Sequence, residues 1–184
     1  MALDIRPATA RDVPLILDFI RGLAEYERML DQVEATEERL HASLFPANGS
    51  VPDAHCVIGS VDGVAAGFAL YFFNYSTFLA RPGLYLEDLF VKPEFRGAGL
   101  GKTLLLHLAA LAHERGCGRM EWAVLDWNEP AIGFYEALGA KRLLDWQICR
   151  LDAQALTRVA SPDQAKRPQK AHREKRQQVH REQR

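Results

Sequence analysis

The chain has 184 residues, 48% of them apolar, with 23 Lys and Arg set against 24 Asp and Glu. That is enough for one domain with a core of its own, in an ordinary composition for a soluble globular protein. No apolar run approaches the roughly 18 residues of a bilayer crossing, and Met1-Ala2-Leu3-Asp4-Ile5-Arg6 lacks the basic-then-apolar order of a secretory leader.

The first strand is predicted around Leu3–Pro7. Thr9 and Asp12 then form a capping pattern, and Val13, Ile16, Leu17, Ile20 and Leu23 recur at helical spacing, with Pro14 near the start, where its missing N–H does least harm. Thr36 caps a shorter helix carrying Leu40 and Leu44, which Pro46 and Asn48-Gly49 end. Ala54–Ser60 and Val64–Asn74 read as strands joined at Asp62-Gly63, a hairpin signal. A further strand begins at Leu84 and is followed by a helix, a strand over Arg119–Leu125, a short helix capped by Asn128-Glu129-Pro130 and closed by Gly139, and a last strand over Trp146–Leu151. This order implies an α/β (α+β) layered domain, with a mixed, mostly antiparallel sheet and helices on both faces.

The three cysteines, Cys56, Cys117 and Cys149, are widely spaced and odd in number, which favours reduced, partly buried thiols and a cytoplasmic protein. His107 and His113 are six apart and share no helix face, and no metal site is predicted. No Gly-x-Ser-x-Gly elbow suggests a serine hydrolase. The near-neutral total hides an asymmetry. Lys166–Arg184 holds eight basic residues against Glu174 and Glu182, whereas the preceding chain is clearly acidic and favours cations. A domain over residues 1–155 and a basic, disordered tail over 156–184 are expected. The tail could attract nucleic acid, but without interleaved aromatics a solvated extension is the favoured reading.

The most informative stretch is Arg96-Gly97-Ala98-Gly99-Leu100-Gly101-Lys102, between the strand ending at Val91 and a helix with Leu100, Leu104, Leu105, Leu108 and Leu111 on one face. Glycines at a helix N-terminus let backbone amides and the helix dipole close on a phosphate. The spacing matches neither a P-loop nor the dinucleotide fingerprint. It is Arg-x-x-Gly-x-Gly.

With that loop, the segments Ile5-Arg6-Pro7-Ala8-Thr9-Ala10, Ala24-Glu25-Tyr26-Glu27, Tyr85-Leu86-Glu87-Asp88-Leu89-Phe90-Val91 and Trp127-Asn128-Glu129-Pro130 leading to Phe134-Tyr135 resemble the GCN5-related N-acetyltransferases. The chain is most similar to the diamine and spermidine/spermine branch, over roughly residues 3–152. The resemblance implies acetyl-CoA as donor, a small cationic amine as acceptor and a homodimer. It implies a cofactor path along Leu89, Phe90 and Val91, with the pantetheine arm paired to this strand where it splays from the one at Arg119–Leu125. The diphosphate would lie on Arg96, Gly97, Ala98, Gly99, Leu100, Gly101 and Lys102, with Asn128 and Tyr135 beside the arm and its sulfur. Tyr26, Glu27, Glu87, Asp88 and Trp146 are the implied acceptor contacts.

A primary amine with a pKa near 10 is overwhelmingly protonated at neutral pH, so transfer needs a base, and the departing thiolate gains from an acid. Glu87 is the candidate base, directly or through water, although a binding role alone weighs nearly as much. Tyr135 is the candidate acid. Strand alternation places Glu87 and Asp88 on opposite faces. A protein amine or an antibiotic as acceptor, or a non-catalytic acyl-CoA-binding module, are the alternatives.

Overall fold

The computed structural model describes residues 1–47 and 49–161, so most of the expected basic tail lies outside the described residues. The described chain divides into two compact units, with the division between Ala131 and Ile132.

The first unit is built on a five-stranded sheet in the order β1-β2-β3-β4-β5. Its strands are β1 (Leu3–Pro7), β2 (His55–Val61), β3 (Val64–Ser76), β4 (Arg81–Val91) and β5 (Met120–Trp122). All neighbours are antiparallel except β4 and β5, which run parallel. The predicted strand over Arg119–Leu125 thus shrinks to three residues, and only Leu84–Leu86 of β4 pairs with it.

Helix α1 (Val13–Tyr26) packs on one face of this sheet together with α2 (Glu37–Leu44). Val13, Ile16, Leu17 and Phe19 of α1 and Leu40 and Leu44 of α2 meet Cys56, Ile58, Phe68, Leu70 and Phe90 from the strands. The period-two spacing of the strand residues shows why one face of each strand is apolar. Phe19 stacks on Phe68 with ring centroids 5.5 Å apart; each large side chain buried in this way contributes about 1.5–3 kcal/mol. The Thr36 cap is formed, its hydroxyl accepting from Arg39 N–H at 3.3 Å. Upstream, Asp12 is held by a two-pronged bond from Arg6, at 2.7 and 2.8 Å, and accepts from the Thr9 N–H and hydroxyl.

The opposite face is covered by α3 (Leu100–Glu114). Leu100, Leu104, Leu105 and Leu108 are buried as the spacing predicts, whereas Leu111 is half-buried and Ala112 takes the last inward place. Leu100 lies so close over Gly59 that any side chain there would meet it at 2.9 Å.

Strand β4 carries a bulge. Leu70 faces Asp88 and Tyr71 faces Leu86, so Glu87 has no partner across the ladder. The extra residue resets the alternation: Leu86 is buried, Asp88 half-buried and Glu87 exposed.

The boundary between the units falls within α4 (Glu129–Ala137). Gly139 follows α4 at φ 92°, and the Ala140 N–H returns to the Tyr135 carbonyl, closing the helix as predicted. The strand predicted over Trp146–Leu151 is not formed. That segment is irregular, with Trp146 and Ile148 more than three-quarters exposed, because its apolar alternation finds no strand to pair with among the described residues. A helix absent from the sequence reading, α5 (Ala153–Ala160), follows, capped by Asp152 accepting from Ala155 N–H at 2.7 Å, so residues 156–160, expected as the start of a disordered tail, are helical. Of the thiols, Cys56 is buried, which pushes it up to about 12, Cys117 is half-buried, and Cys149 is exposed, contrary to expectation. No helix among the described residues is long and apolar enough to cross a membrane.

Candidate active site

The turn into α3 has the backbone an anion requires. Gly97 and Gly99 sit at φ 80° and 88°, a region that side chains other than glycine adopt at a cost. Gly99 precedes the helix, and the first helical bond runs from Thr103 N–H to its carbonyl at 3.0 Å. The N–H groups of Leu100, Gly101 and Lys102 therefore lie ahead of the ladder with no side chain capping them. The first turn holds no acidic residue to compete for them. Leu100, with its side chain fully buried, anchors the turn and offers only its amide. Open donors, the positive end of a 15-residue helix and a first turn without acidic residues fit a diphosphate.

Arg96 precedes this turn. Its Nε donates to the Val91 carbonyl at 3.1 Å, and its guanidinium lies 4.7 Å from the Tyr26 ring centre and 5.9 Å from that of Phe90. Past the bulge, β4 has no strand on the β5 side among the described residues, because β5 stops opposite Leu86. Leu89, Phe90 and Val91 thus run along an edge with no paired strand among the described residues, where the Val91 carbonyl is taken by Arg96. The Phe90 side chain belongs to the core, against Phe19.

On the α1 side, Asp88 opens into a cleft of about 190 Å³ lined by Ile20, Leu23, Ala24, Glu27, Met29, Gln32 and Val33. Ile20 and Leu23 end the apolar stripe predicted for α1, and they are half-buried because they wall this cleft. Burial, and next the charges of Glu87 and Glu27, push the Asp88 carboxyl up to about 6. Burial also raises Glu27. Two carboxylates whose charge is penalised, set among methyl and methylene groups, make a site that gains by receiving a cation.

Tyr26 sits at the end of α1 beside this cleft. Its hydroxyl donates to Asn128 Oδ1 at 3.0 Å, and the same oxygen accepts from Ala131 N–H at 3.4 Å, capping α4. Its ring lies 5.9 Å from that of Trp127, over which the Arg28 guanidinium sits at 5.8 Å. In the second unit, Tyr135 is half-buried on α4, its ring 5.1 Å from Phe134, and Trp146 is 77% exposed.

The acetyltransferase (GNAT) family model matches residues 20–140, which contain the glycine turn, the cleft-lining end of α1 and Tyr135. The chain belongs to this family. Two curated relatives align with most of the acetyltransferase. The thialysine N-epsilon-acetyltransferase of Bos taurus is 40% identical, over 85% of this chain and 96% of its own. The L-ornithine N5-acetyltransferase NATA1 of Arabidopsis thaliana is 36% identical, over 84% and 86%. Among solved structures, a Vibrio cholerae integron cassette protein superposes with a TM-score of 0.69 at 24% identity, covering 87% of this chain and 98% of its own, which establishes the fold.

Three features of the acetyltransferase escape sequence reasoning. Met29, Gln32 and Val33 reach the cleft from a short 3-10 turn after α1 (Leu30–Gln32), too brief for any periodicity to mark it. Arg28 stands at φ 62°, a left-handed helix end usually taken by glycine, and nothing in its neighbours announces that. The bond between Tyr26 and Asn128 joins residues 102 apart in the chain. Glu121 and Asp126 have no evident place in the site; Glu121 pairs with Arg119 at 2.8 Å.

Proposed function

We propose that this acetyltransferase uses acetyl-CoA to acetylate a primary amine of a small cationic acceptor, a diamine, a polyamine or an amino acid with a side-chain amine, by direct attack in a ternary complex. The observation that carries this reading is the cleft beside β4, where Asp88 and Glu27 meet the apolar walls Ile20, Leu23, Ala24, Met29 and Val33. An alkyl chain ending in an ammonium group matches both linings. The relatives named for thialysine Nε and ornithine N5 acetylation point the same way.

Bound acetyl-CoA supplies an acetyl thioester as the electrophile. The amides of the turn from Gly97 to Lys102 hold its diphosphate, Arg96 adds charge, and the edge at Leu89–Val91 lines its arm. Asp88 and Glu27 hold the acceptor's ammonium groups, with Trp146 as a further contact. Glu87, exposed at the bulge, takes the proton of the reacting ammonium and passes it to water. The neutral nitrogen then forms the amide bond as the carbon–sulfur bond breaks. Tyr135 protonates the departing sulfur, and the nitrogen's surplus proton restores its phenol.

The family likeness supports a homodimer and the widely spaced, odd-numbered cysteines a cytoplasmic protein, with the basic segment that follows α5 serving solubility. Turnover of acetyl-CoA over a panel of diamines, polyamines, ornithine, thialysine, a lysine-bearing peptide and an aminoglycoside tests the reading. The small linear amines should be acetylated fastest. Binding of acetyl-CoA with no turnover on any amine would contradict it and leave a binding module instead.

A further inference from the structure

The amide of Asn128 is oriented by two contacts on one atom. Its Oδ1 accepts from the backbone of Ala131 and from the Tyr26 hydroxyl. With the oxygen doubly occupied, the two N–H groups of the amide have no hydrogen-bond acceptor among the described residues. An amide fixed in this sense asks a ligand for a carbonyl or another acceptor. Alone, the helix cap constrains the oxygen at a long 3.4 Å; the phenol makes the shorter contact and is held in turn. Trp127, Arg96 and, through Trp127, Arg28 surround its ring at 4.7–5.9 Å. Arg96 adjoins the glycine turn, and Asn128 starts α4. Tyr26 is thus tied by its ring to one implied cofactor contact and by its hydroxyl proton to another, and the guanidinium already 4.7 Å from its ring disfavours a second cation beside it.

We infer that Tyr26 is a positioning residue for the acetyl-CoA side of the site, which sets the donor direction of the Asn128 amide and steadies Arg96, and is not a contact for the acceptor amine. A cationic acceptor needs carboxylates, which Asp88 and Glu27 provide; a phenol already donating to Asn128 adds no charge. The strained backbone at Arg28 agrees with this assignment, because it holds a guanidinium over Trp127 at the far end of the same stack. The inference rests on acetyl-CoA being the donor.

Tyr26→Phe keeps the ring and its stacking and removes only the bond to Asn128. Calorimetric titration with CoA should show its Kd raised about fivefold, the size of one lost hydrogen bond, while the KM for the amine changes less than twofold. In an Asn128→Ala background the same replacement should add nothing to the loss, since the two residues act through one contact. A merely structural role would lower thermal stability without separating the two ligands or removing that additivity. A raised amine KM with unchanged CoA affinity would overturn the inference and return Tyr26 to the acceptor site. Unchanged values for both ligands, or additive losses in the double variant, would also overturn it. Failure of the wild-type protein to bind CoA is a different result, and it would remove the donor reading itself.

Discussion

Asp88 and Glu27 face the same cleft from different elements, one from β4 just past its bulge and the other from the end of α1. Strand alternation alone would put Asp88 on the face of Leu86, two residues before it. The unpaired Glu87 changes that parity, so Asp88 follows Leu70 and Phe90 toward α1 while Leu86 follows Tyr71. One extra residue in a strand thereby separates three carboxylates. Glu87 is left in water, and Asp88 and Glu27 are drawn together where their charges are costly.

The raised carboxyl of Asp88 sets opposite signs for stability and for acceptor binding. Its folded value, about 6, exceeds its ordinary value of 3.8, so the folded state binds more protons between those limits. Stability contributed by this group is full below that window and is lost as pH rises through about 6. The ionised form is the one that holds an ammonium, so kcat/KM for the amine should fall as pH drops through about 6. Asp88→Asn should be at least as stable as the wild type at pH 7, lower kcat/KM by roughly tenfold to a hundredfold, and lose that inflection. pH–rate profiles and thermal melts check both halves.

Tyr135→Phe removes the phenol proton that the proposed mechanism gives to the departing sulfur. Turnover should fall by about 10²–10⁴, with CoA affinity within about a factor of two, as a group needed mainly in the transition state requires. Steady-state kinetics with any accepted amine, combined with calorimetry, tests this. Unchanged kcat would remove Tyr135 from the proton path.

The pair of Arg6 and Asp12 is a matter of folding. Asp12 is 9% exposed, and Arg6 with Thr9 holds its carboxyl well below the usual carboxylate range. Its contribution is therefore complete above about pH 4 and is lost as pH falls toward its depressed native value. Asp12→Asn should cost about 1–3 kcal/mol at pH 7, and the gap between variant and wild type should narrow in acid. Denaturant unfolding at pH 7 and pH 3.5 would reveal a gap that stayed constant, which would contradict the assignment.

Gly99→Val places a β-branched residue at φ 88°, immediately before the open amides of α3. The strain should displace the turn and weaken CoA binding by tenfold or more, while amine binding at the cleft changes little. Titration with CoA and with an amine product distinguishes this from general unfolding.

The sequence exposes the parts of this structure that repeat locally. The first four leucines of the α3 stripe, the Thr36 cap, the Asp62-Gly63 hairpin and the strands flanking it leave periodic or turn-forming signatures, and each appears where expected. The glycine turn is legible because two residues must adopt positive φ. The bulge at Glu87 is not, since nothing in Leu86-Glu87-Asp88 says which residue the ladder will omit. The bond from Tyr26 to Asn128 and the cleft wall at Met29–Val33 depend on distant packing, which periodicity does not encode. Trp146–Leu151 fails for the converse reason: its apolar alternation satisfies a strand pattern, but a strand also needs a neighbour.

The central claim is that the amides of the turn from Gly97 to Lys102 grip the diphosphate of the acetyl donor. Comparing the affinities of CoA and pantetheine for the purified protein tests it most directly, because pantetheine keeps the arm and thiol and lacks the diphosphate nucleotide. The account predicts measurable CoA binding and affinity at least a hundredfold weaker for pantetheine, as expected on losing several charge-assisted hydrogen bonds. Equal affinities, or no binding of CoA at all, would contradict it.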